Sequence, residues 1–461
     1  MDNSRIDPWG ADHDTNYDRV SSRFGLDGIN LEDLSNPGML HTRGLIFAHR
    51  DLDVIMHAHR RGSPFGVLTG LMPSGKMHLG HTMVIEQAKW YQSLGADVTV
   101  AVADLESLAT RAVPLEKGRQ VALEEYVSNY AAMGLDPEKT SVYFQSSRPE
   151  VQRLGFTLGR RTNLSELGSI YGFEGNTNLA HVQAPLVQVG DILHPMLDKF
   201  GGLRPVVVPV GVDQDPHIRL TRDIVSKSQW FNVRKSKNGG ILISLSIQPE
   251  NHRAFGVKQN LSVDKSERSK IISKIEHLVS SMGFSDIETN PKHGTITIHA
   301  GTAHDVNDLR LELCKLEREL GGIGLLPPSS SYHKFAIGLD GGKMSSSKPE
   351  TTIFLNESIE AMNRKIMKAH SGGKSTVEEH RRLGGDLETD VAFQYLKFFF
   401  EKDDAELTKI AKDYTSGKIL AGEMKKLCAQ QAEIWMNELT EKRAQWSDKI
   451  SDFLADDAIQ R

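Results

Sequence analysis

From Pro64 onward, short apolar runs alternate with long amphipathic ones, and few architectures satisfy that alternation. The runs PFGVLTG (64–70), DVTVAVAD (97–104), TSVYFQS (140–146) and RPVVVPVGV (204–212) read as buried strands. LGHTMVIEQAKWYQSLG (79–95) and EKGRQVALEEYVSNYAAMG (116–134) read as the helices between them. Strands that are apolar throughout are covered on both faces, and parallel strands need crossover helices. The pattern therefore predicts an α/β fold around a doubly wound parallel sheet. Ligands of such sheets bind beyond the carboxyl ends of the strands. Two strands end there in Thr69-Gly70 and in GVDQD (211–215), where Asp215-Pro216 signals the start of a helix.

The flanking regions divide the chain further. Residues 1–62 read as a mostly helical N-terminal extension, with a helix around Thr42–Arg61. Residues 63–231 and 326–356 read as the α/β domain, interrupted by an inserted α+β module at 232–325. SKNGG (236–240) opens the insertion and the turn residues of GGIGLLPPSSS (321–331) close it. Strands are expected at ILISLSI (241–247) and GTITIHA (294–300), and helices at 264–283 and 303–320. Residues 357–461 read as a helical domain, broken at SGGKS (371–375) and LGGD (383–386).

A net charge of -5 excludes a wholly basic nucleic-acid binder but leaves room for a local basic patch. Two cysteines, Cys314 and Cys428, are too few for a disulfide framework or a thiolate zinc site. No apolar run approaches the roughly 18 residues of a membrane span. The polar, acidic start MDNSRIDPWGADHD is not a signal or transit peptide. The expectation is a cytoplasmic protein without membrane attachment.

Three motifs carry chemistry. In PSGKMHLGH (73–81), Gly75 and Gly80 allow backbone to approach a nucleotide closely. His78 and His81, three apart at a helix start, can converge with the helix N-terminus on phosphate oxygens. In isolation, two such histidines are more commonly surface or internally bonded residues. The same stretch, Gly70 to Lys76, also fits most of a P-loop, but the magnesium-binding hydroxyl that should follow is Met77, a poor ligand for a hard cation. GGKMSSSK (341–348) offers a mobile charge on Lys343 and hydroxyl donors between glycines; by itself it reads as a linker. In GVDQD, a carboxylate and an amide at a strand end can read sugar hydroxyls or an amino group, or simply cap a helix.

Together the motifs resemble the signatures of class I aminoacyl-tRNA synthetases. HLGH (78–81) is similar to the HIGH sequence, KMSSS (343–347) to KMSKS, and GVDQ (211–214) to the ribose- and amino-acid-binding strand end. Further stretches resemble tryptophanyl-tRNA synthetases of the archaeal and eukaryotic type. These are DPW (7–9), DQDPHIRLTRDI (213–224), KMSSSKPETTIFL (343–355), residues 371–404 and DYTSGKILAGEMKK (413–426). The resemblance covers most of the chain outside 232–325. It implies a Rossmann-type catalytic domain and a helical anticodon-binding domain. The implied reaction is ATP-dependent activation of L-tryptophan, then transfer to the 2′-hydroxyl of the terminal adenosine of tRNA.

By the same resemblance, His78, His81 and Lys343 are the catalytic residues. Pro73, Ser74, Gly75, His78, Gly80, His81, Gly211, Asp213, Lys343, Met344, Ser345 and Ser347 hold ATP. Among them Asp213 takes the ribose and Met344 presents backbone to adenine. Leu68, Glu106, Gln188, Asp191 and Gln214 form the tryptophan pocket. Mg2+ accompanies ATP without a dedicated protein site, and the family implies a homodimer.

Some positions depart from the family pattern. Ser346 replaces the second lysine of KMSKS, which places more of the load on Lys343. Leu68 and Ala101 stand where eukaryotic members carry a tyrosine and a glutamine that serve the indole pocket. Asp191 matches instead the aspartate that bacterial tryptophan enzymes use. A tyrosyl enzyme of the same subclass is the main alternative, and a P-loop NTPase a more distant one.

Overall fold

The computed structural model describes residues 16–236, 239–246 and 265–459; the start of the chain, with Asp7-Pro8-Trp9, lies outside them. The described residues form two sheets. The larger contains β1 (Asp27–Gly28), β2 (Ile46–Arg50), β3 (Gly66–Leu71), β4 (Asp97–Val102), β5 (Thr140–Phe144) and β6 (Val206–Gly211). The smaller contains β7 (Phe231–Lys235), β8 (Ile241–Leu245), β9 (Ile287–Asn290) and β10 (Thr295–Ile298), after which β11 (Ser329–His333) returns to the larger sheet.

The larger sheet runs β1-β2-β11-β6-β3-β4-β5. From β11 to β5 the strands are parallel, as the apolar runs require, while β1 and β2 form an antiparallel edge. From β3 the chain moves outward to β4 and β5, then returns to lay β6 on the other side of β3. The order thus reverses between β3 and β6, and a crevice opens at their carboxyl ends. The two motifs that follow these strands face each other across it.

Two stretches differ from the sequence reading. Residues 46–50 are a strand, where a continuous helix is expected over Thr42–Arg61; helix forms only over Leu52–Arg60. The serines expected as turn residues at 329–331 are the buried start of β11. Both outcomes depend on pairing β2 with β11, about 280 positions apart, which no local pattern encodes. Each buried serine hydroxyl has an acceptor: Ser329 donates to Asp51 O (2.8 Å), Ser330 to Tyr332 Oη (2.9 Å) and Ser331 to Gln87 Oε1 (2.9 Å). Burial without those partners would cost about 1–3 kcal/mol per group.

An ion cluster ties this edge to the crevice. Asp215, fully buried, accepts from Arg50 (3.0 and 3.2 Å), Arg219 (2.9 Å) and Tyr332 (2.6 Å). On the opposite side, helices Pro149–Leu158 and Leu179–Leu193 meet through glycines. A Cβ on Gly155 would lie 2.2 Å from Leu186 O, and one on Gly190 2.2 Å from Val151 O. That approach seats the second helix, with Gln188 and Asp191, against the sheet.

The smaller sheet, order β7-β8-β10-β9, is antiparallel throughout and packs Ile241, Ile243, Ile296 and Ile298 against helices Lys265–Ser281 and Ala303–Glu319. The sequence reading names β8 and β10 and omits β7 and β9. The second helix faces two ways, with Leu309 and Leu313 in the small core and Cys314 in the core of the larger domain. Its Glu317 accepts from the backbone of Trp230 (3.0 Å) and Gly324 (3.1 Å), joining the two ends of the segment. After residue 356 the chain is helical, and helix Ala421–Trp446 shares one apolar core with the sheet. The chain then returns to the free edge of β5, where Ala455 N–H donates to Val142 O (2.9 Å).

Candidate active site

The first motif begins at a helix N-terminus. His78 is the N-cap of helix Leu79–Ser93, and its Nδ1 accepts from Gly80 N–H (3.1 Å). His81 Nδ1 accepts in turn from His78 N–H (3.1 Å). In a neutral imidazole the other nitrogen then carries the proton, so His78 offers Nε2–H as a donor; His81 Nδ1 also lies 3.3 Å from His78 O, and its ring offers Nε2–H in the tautomer that accepts from His78 N–H. Both rings are neutral at pH 7. Burial first, then the proximity of His81 and Lys343, holds the His78 pKa well below its usual value; burial lowers that of His81 to about 4. The ring centroids lie 3.9 Å apart, with the planes tilted by 42°. Gly80 is required by space: a Cβ would lie 3.0 Å from the His78 ring and 3.3 Å from Ala336.

The KMSSS loop meets this helix through backbone. Leu79 N–H donates to Ile353 O (3.1 Å), Leu355 N–H to Met77 O (2.9 Å), and His78 bridges Phe354. Lys343 pairs with Ile337, and Met344 N–H donates to Ala336 O (2.9 Å), which buries the Met344 side chain. Thr352 clamps the loop from below, accepting from Ser345 N–H (3.3 Å) and donating to Ser345 O (2.7 Å). Ser345 and Ser347 join their hydroxyls at 2.9 Å, close to the exposed turn.

Lys343 reaches the third motif. Its Nζ lies 3.2 Å from Asp213 Oδ2 and 4.2 Å from the centre of the Phe335 ring. Asp213 follows β6 directly, and Gly211 makes room for it: a Cβ there would stand 2.6 Å from Asp213 Oδ1. The three motifs, distant in sequence, therefore line one crevice. Pro73, Ser74 and Gly75 form the loop between β3 and the helix, with Ser74 N–H held by Met72 O (2.8 Å). The P-loop alternative fails here. Lys76 is exposed, and Met77, where a magnesium-binding hydroxyl would stand, is 1% exposed in the main core.

The residues expected to hold tryptophan lie on β3, on helix Leu179–Leu193 and at the starts of two further helices. Glu106, in the first turn of helix Asp104–Arg111, and Gln214, just ahead of helix Asp215–Ser228, are both half-buried. Among the described residues Gln188 Oε1 has no hydrogen-bond partner, a buried acceptor turned away from water. Leu68 is in the apolar core with Leu154, Val189 and Ile218 and offers no polar contact.

Asp191 is 3% exposed, and both of its oxygens are engaged: Tyr143 Oη donates at 2.5 Å and Gln145 Nε2 at 2.6 Å. Burial raises its pKa to about 7, and the charges of Glu106 and Asp104 act in the same direction. Behind it, Arg148 lies 3.9 Å over the Tyr143 ring, bonds His194 (3.1 Å) and is held by both oxygens of Asp457 (2.7 and 2.8 Å). The C-terminal stretch thus braces this corner. Sequence reasoning omits Tyr143, Gln145, Phe335, Thr352 and Arg148. Only the first two left a signal, two positions apart at the end of a strand and so on one face.

A crevice built from HLGH, KMSSS and a GVDQ strand end, at the switch point of a mostly parallel sheet, defines a class I tRNA synthetase. The family described as tRNA synthetases class I (W and Y) matches residues 60–241 and 307–436, and the chain belongs to it. Within that family it groups with the tryptophan–tRNA ligases. The ligase of Thermoplasma volcanium is 37% identical over 446 residues, covering 97% of this chain and 99% of the relative. That of Methanosarcina acetivorans is 37% identical, covering 95% and 96%. The solved tryptophanyl-tRNA synthetase of Aeropyrum pernix K1 is 32% identical, with a TM-score of 0.71 over 98% of this chain and 99% of that one. That of Encephalitozoon cuniculi shares the fold at 23% identity, with a TM-score of 0.67 over 95% and 98%. The family match resumes at residue 307, inside the segment 232–325 read as an insertion, and so takes in most of helix Ala303–Glu319.

Proposed function

We propose that this enzyme activates L-tryptophan with ATP in the crevice and then esterifies the 2′-hydroxyl of the terminal adenosine of its tRNA. The observation that carries the reading is the meeting of Lys343, Asp213 and the two histidines in one crevice. The amino-acid carboxylate attacks the α-phosphorus in line, and the bond to pyrophosphate breaks as the bond to the carboxylate forms. His78 and His81 donate from Nε2 to phosphate oxygens; being neutral, they act as oriented dipoles already in place. Lys343 leaves Asp213 when the ribose hydroxyls take that carboxylate, and its ammonium then follows the charge developing on the phosphates. Magnesium enters with ATP as part of the substrate and shares that charge.

The polar side chains beside the crevice suit an amino acid. Glu106 and Gln214 with the unpartnered Gln188 Oε1 accept from the ammonium group. Asp191, oriented by Tyr143 and Gln145, accepts from the indole N–H. A buried donor left unpaired there would cost about 1–3 kcal/mol. Residues 357–461 carry the anticodon end of the tRNA. In support, a hollow of about 360 Å³ in that region is lined by Lys374, Lys426 and His380 at the start of helix Ala421–Trp446. A homodimer fits the exposed Phe156, Leu164 and Leu179, which lie on successive helices. Among the described residues no helix is long and apolar enough to cross a membrane; a cytoplasmic location fits this reading.

The test is ATP–pyrophosphate exchange with each amino acid in turn. Exchange supported by tryptophan is expected. Exchange supported by tyrosine instead would overturn the amino-acid assignment.

A further inference from the structure

His333 ends β11, opposite Gly211 in the parallel register with β6. It is 6% exposed. Its Nδ1 lies 2.9 Å from Gln87 Nε2. The orientation of that amide is set by its other contacts, since Gln87 Oε1 accepts from Ser331 (2.9 Å) and Nε2 also donates to Met83 O (3.3 Å). An amide nitrogen only donates, so His333 Nδ1 is an acceptor, and in the neutral ring the proton is on Nε2. Burial lowers the His333 pKa to about 4, so the ring is neutral at working pH. Among the described residues Nε2–H has no acceptor.

That nitrogen points into the crevice. The position a Gly211 Cβ would take lies 3.7 Å from His333 Nε2, 2.6 Å from Asp213 Oδ1 and 3.1 Å from Phe335 Cε1. One donor, one acceptor and one aromatic edge thus converge where a glycine leaves space. A carboxylate needs a hydroxyl to donate to it, and an imidazole N–H needs an oxygen to receive it. A vicinal diol meets both demands at once, whereas a phosphate, which only accepts, would leave the carboxylate unmatched.

We propose that His333 is a nucleotide-positioning residue that donates from Nε2 to a ribose hydroxyl oxygen of ATP, beside Asp213. This rests on the crevice being the ATP site. The Gln87–Ser331 pair behind His333 fixes its ring and tautomer, so the donor is in place before the nucleotide arrives.

The experiment measures pyrophosphate exchange with ATP, 2′-deoxy-ATP and 3′-deoxy-ATP, for the unsubstituted enzyme and for His333→Leu and His333→Gln. The unsubstituted enzyme is expected to favour ATP over at least one deoxynucleotide by about tenfold or more. His333→Leu should raise the ATP KM by a similar factor and leave that deoxynucleotide unchanged, which erases the preference. His333→Gln, with an amide N–H near Nε2, should restore part of it. A merely structural role would raise the KM values of all three nucleotides alike, and that result overturns the proposal. So does an unsubstituted enzyme indifferent to both hydroxyls, which needs no variant to fold. No tryptophan-dependent exchange at all in the unsubstituted enzyme would instead sink the reading of the site itself.

Discussion

Replacing Asp191 with asparagine removes the charge from a carboxylate that the fold buries almost completely. Asp191 is 3% exposed, and its two hydrogen bonds come from neutral donors, Tyr143 and Gln145. Burial outweighs them and raises the pKa from 3.8 to about 7. The unfolded chain releases this proton near pH 3.8, while the folded chain keeps it to about 7. The folded state therefore binds more protons in that window, and stability from this group falls as pH rises through it. Each pH unit inside the window corresponds to roughly 1.4 kcal/mol, so from about pH 5.5 to 7 the loss is roughly 2 kcal/mol. Asparagine cannot titrate, and the loss should vanish in Asp191→Asn. Urea unfolding midpoints of both proteins at several pH values give the difference, in which every unaltered group cancels. A stability difference constant from pH 5.5 to 8 would refute the argument. The same variant should raise the tryptophan KM by roughly ten- to a hundredfold with ATP unmoved. An unchanged tryptophan KM in folded protein removes Asp191 from the pocket.

Lys343→Ala should slow adenylate formation by roughly 10²-fold or more while tryptophan affinity stays put, because a charge acting mainly in the transition state is lost; near-normal exchange would take the loop out of the chemistry. Acid should destabilise the enzyme. His41, His81 and His333 are held near pKa 4 and His194 and His217 near 3 by burial, so the unfolded chain takes up protons first as pH falls below about 6.5. The carboxyls of Asp191 and Glu317, both raised to about 7 by burial, act in the opposite sense but are fewer. The thermal midpoint should drop between pH 6.5 and 4.5, and a flat profile would contradict the burial of those rings. Removing β8 through β10 while keeping helix Ala303–Glu319 should spare tryptophan-dependent exchange, because among the described residues of the module it is that helix which shares a core with the larger domain. Loss of exchange in a soluble deletion variant would make the module part of the catalytic machinery.

The sequence by itself determined the parallel sheet, because strands apolar on both faces and helices of crossover length are local patterns. It also determined the three motifs, whose residue types and order are legible without coordinates. It did not determine which strand lies beside which. The antiparallel edge of β2 against β11, and the use of three serines inside a sheet, depend on partners far away in the chain. Propensity yields there to hydrogen bonds that only the assembled sheet supplies. The same holds within the site. Asp191 could be picked out as a carboxylate one helical turn from Gln188, but its burial, its pKa and its orientation come from Tyr143, Gln145 and a brace that ends at Asp457. His333 looked like any polar residue of a strand. Its tautomer and aim were decided by Gln87 on another helix and by the missing side chain of Gly211, since only packing fixes which nitrogen is satisfied and which is left to bind.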